Sequence, residues 1–225
     1  MAEPPYRLVV LSDHGQTPGA SFESRYEATL EDLVRDLLSD PASGAARPAE
    51  ALSPLPDLIV AAAGNLAHVT FPQSNHRLSA EEIDTMHPRL RAGLTSHPGI
   101  GIVMSMTEDG ELVALGAHGR RHLVGSGVVG VDPVEPYGPH AAESLRQIGP
   151  SRDAGDLVIV SMYDATAGEV APFERQLGSH GGIGGAQTKA VLLYPRELEP
   201  SGDPLDVIGA EALHRKVREW MDRDG

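Results

Sequence analysis

Leu8-Val9-Val10-Leu11-Ser12-Asp13-His14-Gly15 is a short apolar run that stops at an acid–imidazole pair and then a glycine. The run reads as a buried strand, bounded upstream by Pro4-Pro5. At a strand's carboxyl end the pleat stops, so adjacent Asp and His side chains can both swing toward one ion. Open α/β sheets bind their ligands at that edge. Gly15 lets the backbone turn away without a clash. Asp13 and His14 are therefore candidate metal ligands; the plainer alternative is a surface turn or a helix cap. A second point of this kind lies far downstream, in Gly178-Ser179-His180-Gly181-Gly182-Ile183-Gly184-Gly185. So many glycines cost entropy and are tolerated where the backbone must pass close to something. His180 there is a ligand, a phosphate donor or a turn residue.

The chain has 225 residues, enough for a real core, and 18 Lys+Arg against 32 Asp+Glu give a net charge of −14. That charge disfavours nucleic-acid duplexes and anionic membranes, although metal ions can still supply the positive field that a phosphate needs. There are no cysteines, so disulfides, thiolate–zinc sites and thiol nucleophiles are excluded, and any metal must be held by Asp, Glu or the ten His. No segment approaches the ~20 apolar residues of a membrane span. The N-terminus has no basic, leader-like stretch, so no signal peptide is expected.

Alternating strand and helix patterns predict an α/β protein with a mostly parallel sheet. Strands are expected over 7–11, 57–63, 66–71, 156–162 and 190–194. Helices are expected over 24–39, after the Ser79-Ala80-Glu81-Glu82 capping box, and over 140–147, 170–177 and 205–221. Residues 40–56 read as a Pro/Ala/Gly-rich loop. Residues 78–130 read as a small α+β insert with a hairpin at Asp109-Gly110, between a first core part at 1–77 and a second at 131–225. Gly125-Ser126-Gly127-Val128-Val129-Gly130 matches GxGxxG, but Val131-Asp132-Pro133 follows it instead of a helix, so it reads as a hairpin. His68 reads as a satisfied strand histidine, and His97, His118 and His122 as surface or structural residues. Asp84 and His87 form a weak helical ligand pair. No GxSxG nucleophile elbow is present.

Leu-Ser-Asp-His-Gly-Gln at 11–16 and Gly-Ser-His-Gly-Gly at 178–182 resemble the type I phosphodiesterase/nucleotide pyrophosphatase branch of the alkaline phosphatase superfamily. The closer resemblance is to the phosphodiesterase domain of bacterial phage-holin-family membrane proteins. It extends through Gly64-Asn65-Leu66-Ala67, Leu78 to Ile83, His97 to Gly101 and Leu192 to Pro195. The resemblance implies a three-layer alkaline-phosphatase-like sheet and two divalent ions, most simply zinc. Asp13 and His14 would hold one ion and His180 the other. The substrate would be a small phosphoester.

The family's Ser/Thr nucleophile and Asp-x-x-x-His pair are absent, so the chain resembles the C-terminal half of such a domain. The isolated chain is then expected to be inactive. It would be completed by an N-terminal half or a homodimer partner, and be cytoplasmic or membrane-associated through that missing region. The alternative is a non-catalytic module that binds a partner or a complementary half-domain; a phosphoglycerate-mutase-like relative would also lack its other half.

Overall fold

Leu157-Val158-Ile159-Val160 is the most apolar of the predicted strands, and the main sheet is assembled around it. The computed structural model describes residues 6–39, 56–125, 127–202 and 205–223. In chain order these form β1 (Val10–Leu11), α1 (Phe22–Tyr26), α2 (Leu30–Leu38), β2 (Ile59–Ala63), β3 (Leu66–Thr70), α3 (Ala80–Met86) and α4 (Leu90–Ser96). There follow β4 (Ile100–Met106), β5 (Leu112–Gly116), β6 (Gly119–His122), β7 (Val128–Gly130), α5 (Ala141–Ile148) and β8 (Leu157–Ser161). The last elements are β9 (Tyr163–Asp164), β10 (Glu169–Val170), β11 (Leu192–Leu193) and α6 (Ala210–Asp222). The chain divides into two compact units, His14–Lys189 and a smaller one of Met1–Asp13 with Ala190–Gly225.

The larger unit is built on a seven-stranded sheet in the order β2-β3-β8-β4-β5-β6-β7. Helices cover both of its faces. On one, Phe22 of α1, Leu30 and Val34 of α2, Ile83 of α3, and Leu90 and Leu94 of α4 pack with Ala67, Val69, Val103, Leu157 and Ile159. On the other, Ala141 and Leu145 of α5 join Tyr137, Ile183, Ile102, Met104, Val158 and Val160. Alternate residues of β8 thus feed opposite cores. Between Ile100 and Ile102 of β4 the register shifts, so these residues, two apart, face opposite cores: Ile100 the α1–α4 side and Ile102 the α5 side.

The mixed α/β class holds, but the mostly parallel sheet does not. Every strand pair is antiparallel, and this is not the alkaline-phosphatase-like sheet that the resemblance implies. A fully apolar strand signals burial on two faces, which usually accompanies parallel pairing. Here an antiparallel sheet is covered on both sides and produces the same run. Residues 78–130, expected as an insert, supply α3, α4 and four strands of this same sheet.

Local signals account for most element ends. Ser79 caps α3 reciprocally with Glu82, as its capping box predicts. The hairpin at Gly64-Asn65 joins β2 to β3, with Ala63 opposite Leu66. The helix expected over 24–39 is two helices. The break falls at Glu27, which has φ 58°, and Thr29 with Asp32 forms a second capping box that starts α2. Pro88 likewise separates α3 from α4. The helix expected over 170–177 is absent, because that backbone bonds elsewhere. Pro172 O accepts from Phe22 N at 2.7 Å, and Phe173 N donates to Gly64 O at 2.8 Å. The loop expected over 40–56 lies, apart from Pro56, outside the described residues. Of the GxGxxG stretch, Gly127 O accepts from His122 N at 2.8 Å, and Val128–Gly130 form β7, paired antiparallel with β6.

In the smaller unit β1 pairs with β11 as a two-stranded ribbon. Trp220 of α6 is buried, packs against Tyr194 with ring centroids 5.1 Å apart and planes tilted by 35°, and donates Nε1–H to Glu199 at 2.8 Å. Lys216 also binds Glu199, at 2.9 Å. Hydrogen bonds from Lys216 and Trp220 hold the Glu199 carboxyl below its usual range.

Two features of the larger unit carry predictions. Asp156 is 3 % exposed and accepts from Phe71 N and Leu78 N, both at 2.7 Å, closing the loop between β3 and α3. Asp156→Ala strands two buried N–H groups and is expected to cost about 2–4 kcal/mol in urea unfolding, with Asp156→Asn costing less. The second feature is a set of neutral histidines. His68 accepts from Gly155 N at 3.0 Å, His87 stacks on Phe71 at 5.1 Å, and His97 packs on Phe22 and Tyr26. Burial lowers the pKa of all three below the usual 6.5. The unfolded chain therefore binds protons first as pH falls. Stability is full above pH 6.5 and declines from there down through the depressed native values. Melting temperature is expected to drop across that window, and His87→Leu to flatten the slope.

Candidate metal centre

The two glycine-flanked turns singled out in the sequence meet. The imidazoles of His14 and His180 stack with centroids 4.6 Å apart and planes inclined by 21°. Both rings are half-buried. Asp13 directly precedes His14, is exposed, and belongs to the end of the smaller unit's first segment.

The meeting is built from the backbone outward. Thr17 and Ser179 form an antiparallel bridge, with Thr17 N donating to Ser179 O at 3.0 Å and Ser179 N returning to Thr17 O at 2.8 Å. This bridge lays the strand leaving His14 against the one entering His180. The glycines then permit contact that a side chain would forbid. A Cβ on Gly15 would lie 2.1 Å from Ala186 O. One on Gly64, at φ +59°, would lie 1.9 Å from the carbonyl oxygen of His180 itself. The β2–β3 turn is therefore the floor under His180.

Four buried polar residues hold this arrangement: Thr17, Asn65, Ser179 and Gln187. Thr17 Oγ1 donates to Gly184 O at 2.9 Å and accepts from Gln187 N at 2.9 Å. Asn65 Nδ2 donates to Ile183 O at 2.9 Å. Gln187 Nε2 reaches Asn65 Oδ1 at 3.0 Å. Nearby, burial pushes the Tyr137 phenol well above its ordinary value, and its hydroxyl donates to Ser161 O at 2.6 Å. Thr17 and Gln187 carry no sequence signal of their own, because their partners lie up to 170 residues away in the chain. Asn65 stands out only in a turn with Gly64, and Ser179 only as a neighbour of His180 in its glycine-rich stretch.

The His14 tautomer follows from its partner. A carbonyl oxygen can only accept, so Nδ1–H donates to Gly15 O at 2.7 Å, which makes Nε2 the ring nitrogen that would bear a lone pair in a neutral imidazole. Metal-binding imidazoles are commonly oriented in this way, through the other ring nitrogen. The stack also restricts what could be bound. An imidazole ligates in its own plane, at ~2.0–2.1 Å from nitrogen. Planes only 21° from parallel, on rings 4.6 Å apart, do not meet within that reach. The two rings are therefore not arranged to chelate a single ion between them.

Among the described residues no group of three or more His, Asp or Glu side chains is placed to hold one ion. Other histidines serve elsewhere. Asp84 pairs with Arg91 at 2.6 Å while His87 stacks on Phe71, so the Asp84/His87 pair does not form. His122 bonds Glu111 and His76 bonds Glu82, each at 2.9 Å. Comparison with protein-family models, curated proteins and solved structures finds no match to this chain.

Proposed function

We propose that this chain carries part of the metal site of a phosphoester hydrolase of the phosphodiesterase/nucleotide pyrophosphatase type. The observation that supports it is the His14–His180 stack, which aligns two imidazoles for adjacent ions. Two divalent cations about 4 Å apart would polarise the phosphoryl oxygens and steady the leaving oxygen. His14 would bind one ion through Nε2, held in that tautomer by Gly15 O, with Asp13 beside it in the chain. His180 would bind the second. Zinc suits imidazole and carboxylate donors in a chain without cysteine. The substrate class is a small phosphoester, consistent with an acidic protein whose phosphate affinity would come from bound cations.

Three donors are too few for two ions, since zinc takes about four ligands each. The remaining donors and the nucleophile are assigned to a complementary half or a partner subunit. A second observation favours that assignment. The β1–β11 ribbon exposes Leu8, Val10, Leu11, Val191 and Leu193, at 49 to 75 % each. A two-stranded ribbon is marginal alone, and an apolar run of this kind calls for cover on both faces. No helix among the described residues is long and apolar enough to cross a membrane.

Equilibrium dialysis with zinc, read by mass spectrometry, tests the assignment. Two weak binding events are expected, with His14→Ala removing one and His180→Ala the other. The isolated chain should hydrolyse bis(4-nitrophenyl) phosphate negligibly. Zinc uptake unchanged in both variants would contradict the metal assignment. Robust zinc-dependent turnover by the isolated chain, abolished in His180→Ala, would contradict the need for a partner.

A further inference from the structure

Gln187 is 3 % exposed and sits in the short 3-10 turn Gly185–Thr188 that follows the glycine cluster. We infer that Gln187 is the positioning residue that sets the His14 turn against the His180 turn. Its backbone serves the first turn: N–H donates to Thr17 Oγ1 at 2.9 Å, and C=O accepts from Gly15 N at 3.1 Å. Its side chain serves the second. Nε2 donates to Ile183 O at 2.9 Å, Gly184 O at 2.9 Å and Asn65 Oδ1 at 3.0 Å. Oε1 faces Gly182 N at 3.4 Å and Ser179 Oγ at 3.5 Å, on either side of His180-Gly181.

The chemistry leaves little latitude for another residue. Ile183 O and Gly184 O can only accept, so the amide nitrogen must face them. Asn65 Nδ2 is committed to Ile183 O, which turns its Oδ1 toward Gln187. A glutamate of the same shape would set a carboxylate against three acceptors. An alanine would leave Asn65 Oδ1 buried without a donor, and would remove one of the two donors at each of Ile183 O and Gly184 O. Gln187 touches neither imidazole in this network; it acts by fixing the segments that carry them. Asn65 extends the tie to the sheet, since its own carbonyl accepts from Ser161 N of β8 at 2.9 Å. A deleted amide should therefore loosen the imidazole pair and leave β4, β5 and β8 in place. The metal consequence rests on the two-ion reading above, whereas the geometric role does not.

The test compares the full chain with its Gln187→Ala and Gln187→Glu variants by two readouts. The first is the nuclear Overhauser effect between the His14 and His180 ring protons in metal-free, histidine-labelled protein. The second is zinc affinity by competition with a chromophoric chelator. Wild type should show the ring–ring effect. Both variants should lose it, with zinc affinity about 10–100-fold weaker, the usual loss when a group that orients a metal ligand is removed. Amide signals of β4 and β5 should stay unmoved. A ring–ring effect at wild-type strength in a folded variant overturns the inference, whatever the zinc result. If Gln187→Ala does not fold, the volume-preserving Gln187→Glu decides. Loss of the effect in variants of a wild type that binds no zinc upholds the positioning role and removes the two-ion reading.

Discussion

The insertion of β8 between β3 and β4 is the constraint on which the larger unit depends. All five residues of β8 are buried, and the strand pairs antiparallel on both sides. Leu157 and Ile159 enter the core under α1–α4, and Val158 and Val160 the core under α5. Each such side chain contributes about 1.5–3 kcal/mol by leaving water. The strand's far end then reaches the candidate site. Ser161 N donates to Asn65 O at 2.9 Å, and Ser161 O accepts from the Tyr137 hydroxyl. The turn beneath His180 is thereby tied to the most buried strand of the sheet.

From that turn outward, position is transmitted by buried polar groups. Asn65 holds Ile183, Gln187 holds Asn65, and Thr17 holds both Gln187 and Gly184. In surroundings of low dielectric such bonds are strong, and a missing partner is costly, so the network tolerates few alternatives. The glycines follow from this closeness, because the turns approach within distances that leave no room for a Cβ. Two imidazoles are the product: near-parallel, half-buried, and drawn from segments at opposite ends of the larger unit. On the reading proposed above, each ring would hold one of two cations set against a phosphoryl group.

Part of the fold is legible in the sequence, and the line between what is and is not is physical. Local devices were readable: the Ser79–Glu82 capping box, the Gly64-Asn65 hairpin, and the strand at 157–161. The His180 turn is legible from its glycine cluster, and the His14 turn from an apolar run that stops at Asp13-His14-Gly15. Pairing direction was not, because a strand covered on two faces reads alike in parallel and antiparallel sheets. The missing helix at 170–177 was not either, since Phe173 N is claimed by Gly64 O, a partner far away in the chain. Gln187 left no local trace for the same reason: a buried amide is defined by its acceptors, and those are brought to it only by the fold.

The central claim is that the stacked imidazoles hold two separate cations. Anomalous diffraction at the zinc edge, from crystals of the chain grown with zinc, tests it most directly. The account predicts two peaks, each ~2.0–2.1 Å from a nitrogen of one ring and about 4 Å from the other peak. A single peak shared by both rings, or none at either ring under saturating zinc, would contradict it.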